Sequence, residues 1–253
     1  MTTPIALQLY TVRDQLAKDF SGTVRQIADM GYVGVETAGV YGGSPESAAK
    51  LFTELGLSVC SAHAPLPLGD KKQEVIDTLG ALNCQRLVLA WQPPELFKSE
   101  DGIKRVCDLL NEAALVAQAN GLIFGYHNHW FEYELVNNRV AADIMLEHLD
   151  PSVFLEVDVY WVKTAGQDPV AAVRRLGRRA PLLHIKDGPC LIEPPMTAVG
   201  EGVVDIPGVV AASAGSAEWL IVELDRCATD MLEASQKSYQ YMIGKGLARG
   251  NKN

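Results

Sequence analysis

Cysteine is sparse in this chain and never paired. Cys60, Cys84, Cys107, Cys190 and Cys227 are scattered, odd in number and form no CxxC. That excludes a disulfide framework and a zinc knuckle, and predicts reduced thiols. Basic charge is also short: 22 Lys and Arg face 31 Asp and Glu, a formal charge of −9. A nucleic-acid partner calls for concentrated basic surface, so none is expected, whereas a small anion needs only one or two local cations. No run approaches the roughly 18 apolar residues of a membrane span. The start, MTTPIALQLY, lacks the basic-then-apolar order of a signal peptide. A cytoplasmic protein with no membrane partner is expected. No linker or low-complexity tract divides the chain, so a single domain over 1–253 is expected, near the usual size of a one-domain α/β barrel.

What is present is a recurring unit, an amphipathic helix that stops at a glycine before a short apolar strand. Over Ser44–Leu55, Ser44 can cap, Pro45 suits the first helical position and Glu46 the positive end of the dipole. Ala48, Leu51, Phe52 and Leu55 share one face, and Gly56 supplies the left-handed stop. The same grammar recurs around Gly31 and Gly121. A helix is predicted over Ser99–Asn120, Asp168 caps another, and Thr229 caps the last. Eight strand candidates emerge: Ile5–Tyr10, Tyr32–Glu36, Leu57–His63, Arg86–Trp91, Leu122–His127, Val153–Asp158, Leu182–Lys186 and Trp219–Glu223. Continuous apolar strands alternating with helices imply parallel crossovers, and eight alternations in this length predict an α/β fold, a single (β/α)8 TIM barrel. A long loop is expected over Gly188–Asp205, and the tail RGNKN is expected to fray.

Active sites of such barrels lie at the C-terminal strand ends. There the sequence places Glu36, His63, Trp91, His127 with His129, Asp158, His184 with Lys186, and Glu223, while His148 alone among the five histidines falls on a helix surface. Taken alone, a strand-end His is more often a hydrogen-bonded core or rim residue than a ligand, and a strand-end carboxylate can simply cap the next helix. Their convergence on one rim points to a functional site. Nitrogen and oxygen donors without thiolate suit one divalent ion, Mn, Co or Zn ahead of Mg, and disfavour Ca. Such an ion stabilises the enediolate formed when a carbon beside a carbonyl loses its proton, with carboxylates or His moving that proton.

These residues resemble the xylose isomerase-like TIM barrels known as sugar phosphate isomerases/epimerases, with inosose dehydratase and endonuclease-IV-like relatives. The likeness runs over nearly the whole chain through LQLYTVRD, GVE, GYHNHWFEY, LEVDVYWVKTAGQDP, LLHIKD, GEGVVDIP and EWLIVELD. It implies Asp158, His184 and Glu223 as three metal ligands. The fourth, usually a strand-five Glu, falls on His127, which either ligates the metal or acts as acid/base. Family epimerases use two glutamates as paired acid and base, so this departure leaves the two-glutamate mechanism open. Glu156 is either a ligand or base, or part of the barrel's lower layer. Lys186 can neutralise an enediolate, contact a substrate anion or simply pair with a carboxylate. His63 resembles the family's substrate-facing strand-three histidine. His129 can hold a hydroxyl or the metal, and Glu36 can bind hydroxyls or buttress His63. Trp91, Trp130 and Trp161 can wall a sugar face, with packing the default for each, and Glu201 can reach the pocket. No GxxxxGK[ST] pattern occurs, and the GEG at Gly200–Gly202 is a tight turn, not a phosphate loop.

The leading functional expectation is a metal-dependent isomerase or epimerase acting on a small carbohydrate or keto-sugar. The alternatives are a dehydratase or lyase of inosose or keto-glycoside type on the same metal, and a non-catalytic sugar-binding barrel. A nuclease, suggested by the HAP at His63, is disfavoured by the acidity. Family barrels often pair into dimers or tetramers, and nothing in the sequence decides the oligomeric state.

Overall fold

The computed structural model of the protein describes residues 2–251. Eight parallel strands close into a barrel: β1 (Ile5–Gln8), β2 (Gly34–Thr37), β3 (Ser58–His63), β4 (Arg86–Leu89), β5 (Ile123–His127), β6 (Phe154–Asp158), β7 (Leu182–Ile185) and β8 (Trp219–Val222). Each pairs with the next, and β8 returns to β1 through Ile5–Leu220 and Ala6–Ile221. The expected barrel is therefore present, with every strand a residue or more shorter than read from its apolar run. β1 stops at Gln8 because the next residues, Leu9–Val12, coil into a tight turn whose Tyr10 N–H donates to the Gln8 side chain.

Capping follows local chemistry. Ser44 and Ser47 cap each other's backbone N–H groups at the start of Pro45–Glu54. Ser99 caps Glu100–Ala119 and Asp168 caps Pro169–Leu176. The last helix, Met231–Gly244, is capped by Asp230 and not by Thr229: the carboxylate accepts from both Leu232 and Glu233 N–H groups, which a hydroxyl one residue earlier does not reach. The expected fraying of the tail is corrected for its described part. Arg249 bridges to Pro4, its N–H donates to Thr3, and Asn251 N–H donates to Gly31. Lys252 and Asn253 lie outside the described residues.

Inside the barrel, alternate residues of each strand point inward. The lower interior is apolar, built from Ala6, Cys60, Val88, Phe154, Leu182 and Ile221. Two inward positions must be glycine to admit its large rings. A Cβ on Gly125 would stand 2.3 Å from the Phe154 ring, and one on Gly34 would stand 2.6 Å from Trp219. The five cysteines are free, as expected. Among the described residues no helix is long and apolar enough to cross a membrane.

Candidate functional site

One strand pitch above that apolar layer the inward positions become charged. β6 runs Phe154, Glu156, Asp158; β7 runs Leu182, His184, with Lys186 just past its end; β8 holds Ile221, with Glu223 just past its end. β5 adds His127, paired in register with Glu156, and β2 adds Glu36 beside Gln8. On β3 the pairing with β2 shifts between Val35 and Glu36, so Val35 meets Val59 while Glu36 meets Ser61. This bulge re-aims the strand, and both Ser61 and His63 join the interior cluster.

Glu156 sits at the centre. Its Oε2 lies 2.7 Å from His63 Nε2, 3.1 Å from His127 Nδ1 and 3.2 Å from His184 Nε2. Glu36 is the second deep carboxylate. It accepts from Gln8 Nε2 and Ser61 Oγ, both at 2.6 Å, and its Oε2 lies 2.6 Å from His184 Nε2 and 3.3 Å from His63 Nε2. Nearer the mouth, Glu223 Oε2 lies 2.6 Å from His184 Nδ1. Lys186 Nζ donates to Asp225 at 2.9 Å and forms ion pairs with Asp158 and Glu223 at 2.9 and 2.8 Å. Asp158 has two uses: Oδ1 caps Val159–Thr164 by accepting from Tyr160 and Trp161 N–H groups, while Oδ2 meets Lys186 and stands 3.9 Å from His127 Nε2.

The carboxylates Glu36, Glu156, Asp158 and Glu223 are at most 4% exposed, and a single ammonium, Lys186, is buried among them. Protons on histidines or a bound cation must offset that excess, since unpaired buried charge is costly. Burial pushes the Asp158 carboxyl up to about 6 in spite of Lys186 and His184. Burial, reinforced by the neighbouring Glu156, raises Glu36. At His184 burial opposes the charge, but Glu156, Glu223 and Glu36 override it and raise the imidazole well above its ordinary value. Burial, aided by His184, holds His127 down at about 3, leaving it neutral with a nitrogen lone pair to offer.

Two sets of four side chains bring ligand atoms within 4.8 Å of one another: His127, Asp158, His184 and Glu223 near the mouth, and His63, His127, Glu156 and His184 beneath. They share His127 and His184, each of which turns one ring nitrogen to either set. The mouth set fits a divalent ion by donor chemistry: two carboxylates and two imidazoles without thiolate. Beneath them Glu36 stands 2.6 Å from His184 Nε2, the placing of a carboxylate that would steady a metal-bound histidine, while Glu156 lies 3.1 Å from His127 Nδ1 without bonding it.

A cavity of about 540 Å³ adjoins this cluster, reached by His63, His127, His129, Glu223 and Asp225. Trp91 lies on its wall. Trp161 does not: it is 4% exposed and packs against Trp130, Tyr160 and His129, because Val159–Thr164 turns it beneath the rim. Lys186 and Glu36 are likewise enclosed below the cavity and take no part in its wall, and Glu201 is exposed away from it. The sequence reading passed over Asp225, Gln8, Ser61 and Tyr10. Asp225 was within reach, two residues after Glu223 and thus on the same side of the chain. Gln8, a lone polar residue in an apolar strand, was a weaker signal, and Tyr10 gave none.

In three dimensions the chain is similar to several solved structures. A sugar phosphate isomerase/epimerase from Parabacteroides distasonis superimposes with a TM-score of 0.85 at 24% identity, over 98% of this chain and 100% of the other. A protein named IOLI, solved with a bound zinc atom, gives 0.73 at 15% identity over 96% and 97%. An L-ribulose 3-epimerase gives 0.71 at 18% identity over 97% and 94%. At such identities the likeness is one of fold. No curated protein matches in sequence. The family described as xylose isomerase-like TIM barrel does match, over residues 24–242. With the closed eight-stranded barrel already built from the sequence upward, that match across most of the length makes this chain a member of the xylose isomerase-like TIM barrel family.

Proposed function

We propose that the protein is a metal-dependent sugar isomerase or epimerase that moves a proton on a carbon beside a carbonyl. The observation that carries this reading is the convergence of His127, Asp158, His184 and Glu223 within 4.8 Å, against a cavity that Glu223 and His127 also line. The zinc atom named for IOLI and the sugar epimerase among the similar folds support the same reading.

A divalent ion held by those four residues, Mn, Co or Zn by donor type, supplies positive charge for the anion left when the carbon loses its proton. The chain's own groups do the rest. Glu223 faces the cavity from the end of β8 and takes the proton. His63 faces it from the end of β3, backed by Glu156 at 2.7 Å, and returns a proton from the other side. Glu156 itself is fully buried, so its part is to orient His63 and His127 and not to touch substrate. Lys186 holds Asp158 and Glu223 in place through its three ion pairs. His129, whose buried Nδ1 makes no hydrogen bond within the chain, meets a substrate hydroxyl.

A dehydratase on the same site is the second reading. It is favoured by His63, a carboxylate-backed imidazole placed to protonate a departing hydroxyl. Elemental analysis of the purified protein and of His184→Ala, with solvent deuterium exchange into ketoses and inososes, tests both. About one equivalent of metal, lost in the variant, is expected together with exchange. Exchange with loss of water selects the dehydratase. Absence of metal after reconstitution and absence of exchange would sink both readings.

A further inference from the structure

Resting on the reading of this cavity as a sugar site, we infer that its substrate is unphosphorylated and carries, at the solvent end, an apolar or ring-faced substituent that lies on Trp91 and Tyr10. A phosphate monoester brings nearly two negative charges and requires Arg, Lys or a cradle of free backbone N–H groups. Among the described residues the lining of this cavity lacks the first, and the β7–β8 loop nest is already filled. No Lys or Arg lines the cavity, and its carboxylates, Glu223 and Asp225, repel an anion. Lys186 is enclosed by three carboxylates. Arg13, packed over the Tyr10 ring, donates to the Tyr10 and Asp225 carbonyls and is absent from the cavity wall.

The loop between β7 and β8, where TIM barrels frequently place a phosphate, holds an anion of its own. Asp187 is buried, and its two carboxylate oxygens accept the N–H groups of Gly188, Gly200, Gly202 and Val204 at 2.9–3.1 Å. The nest made by the GEG turn is thus filled by a side chain of the same loop. A Cβ on Gly202 would fall 2.1 Å from the Asp187 carboxylate, which shows how closely the turn is wrapped on it.

The rim offers the opposite chemistry. Trp91 is 51% exposed and Tyr10 43% exposed, and both line the cavity. Large aromatic rings left half open at the mouth of a concave site are suited to the apolar face of a second sugar ring or an aryl group.

Isothermal titration of the purified protein with methyl β-D-glucopyranoside, phenyl β-D-glucopyranoside and D-glucose 6-phosphate tests this. The phenyl glucoside is expected to bind about tenfold tighter than the methyl glucoside, and the phosphate no tighter than the methyl glucoside. Trp91→Ala, at a position too exposed to disturb the fold, should bring the phenyl-to-methyl ratio close to one. Tightest binding of the phosphate, a ratio unmoved by Trp91→Ala, or no binding of any probe at millimolar concentration overturns the inference. Deuterium exchange decides the isomerase reading separately. Preference for the phenyl glucoside without exchange on any sugar would keep the substrate class and remove the reaction.

Discussion

The two ends of the barrel interior are built by the same strands and differ in almost every property. At the lower end Phe154, Leu182 and Ile221 pack with Ala6, Cys60 and Val88 in a layer without a charged group. Two residues further along the same strands stand Glu156, His184 and Glu223, followed by Asp158 and Lys186. Both layers are buried, yet burial stabilises the first and strains the second, because charge removed from water must be matched by partners. The division lets the lower end fix the barrel's shape while the upper end holds groups that no folding requirement selects. Asp158 spans the two demands, capping a helix with one oxygen and facing the site with the other.

The largest effect expected from this division lies in the apolar layer. Phe154→Ala removes a ring that Gly125 and its neighbours are shaped to receive, and large-to-small core changes of this kind cost about 3–5 kcal/mol. Urea unfolding should show that loss while metal content of the folded variant stays that of the parent. Loss of metal in step with stability would mean that the two ends are not independent.

A smaller effect is expected one layer up. Glu36→Gln keeps the shape of the side chain and its place beside Gln8 and Ser61, but weakens the acceptor under His184 Nε2. If His184 is a ligand, metal affinity should fall by about 10–100-fold, read by competition with a chelator. Unchanged metal affinity would assign Glu36 to packing alone.

The sequence carried the lower end well and the upper end in part. Apolar runs bounded by glycines and caps mark the eight strands, since β/α alternation is written in periodicity. Strand ends were overread where tight turns such as Leu9–Val12 continue an apolar run. Alternation from Asp158 back to Glu156 left that glutamate between ligand and lower layer, and only the three-dimensional closeness of His63, His127 and His184 places it beneath the histidines. The bulge near Glu36 is invisible to a period-two reading, so the partnership of Ser61 and His63 with Glu36 could not be derived. Trp161 was legible as either a sugar wall or a packed ring, and the helix capped by Asp158 turns it inward to pack.

An effect spread over pH separates charge buried with a cation from charge buried without one. Glu132 is 1% exposed, in the turn after β5, and accepts from Tyr126 Oη–H and from His129 N–H without any basic partner. Burial pushes its carboxyl up to about 8. At Glu223, by contrast, burial also disfavours charge, yet Lys186 and His184 overcome it and hold the group well below the ordinary carboxylate range. A carboxyl raised in the folded state binds a proton there that the unfolded chain has already released. Its stabilising contribution is therefore complete below the unfolded value of 4.5 and is lost as pH rises through about 8. Glu132→Gln has no such proton to lose. Between pH 5 and 8 the stability of the variant relative to the parent should rise by up to about 1.4 kcal/mol per pH unit, measured by thermal or urea unfolding at fixed ionic strength. A stability difference that does not change with pH would show that Glu132 is ionised in the fold, and that a buried carboxylate here needs no cation to stay charged.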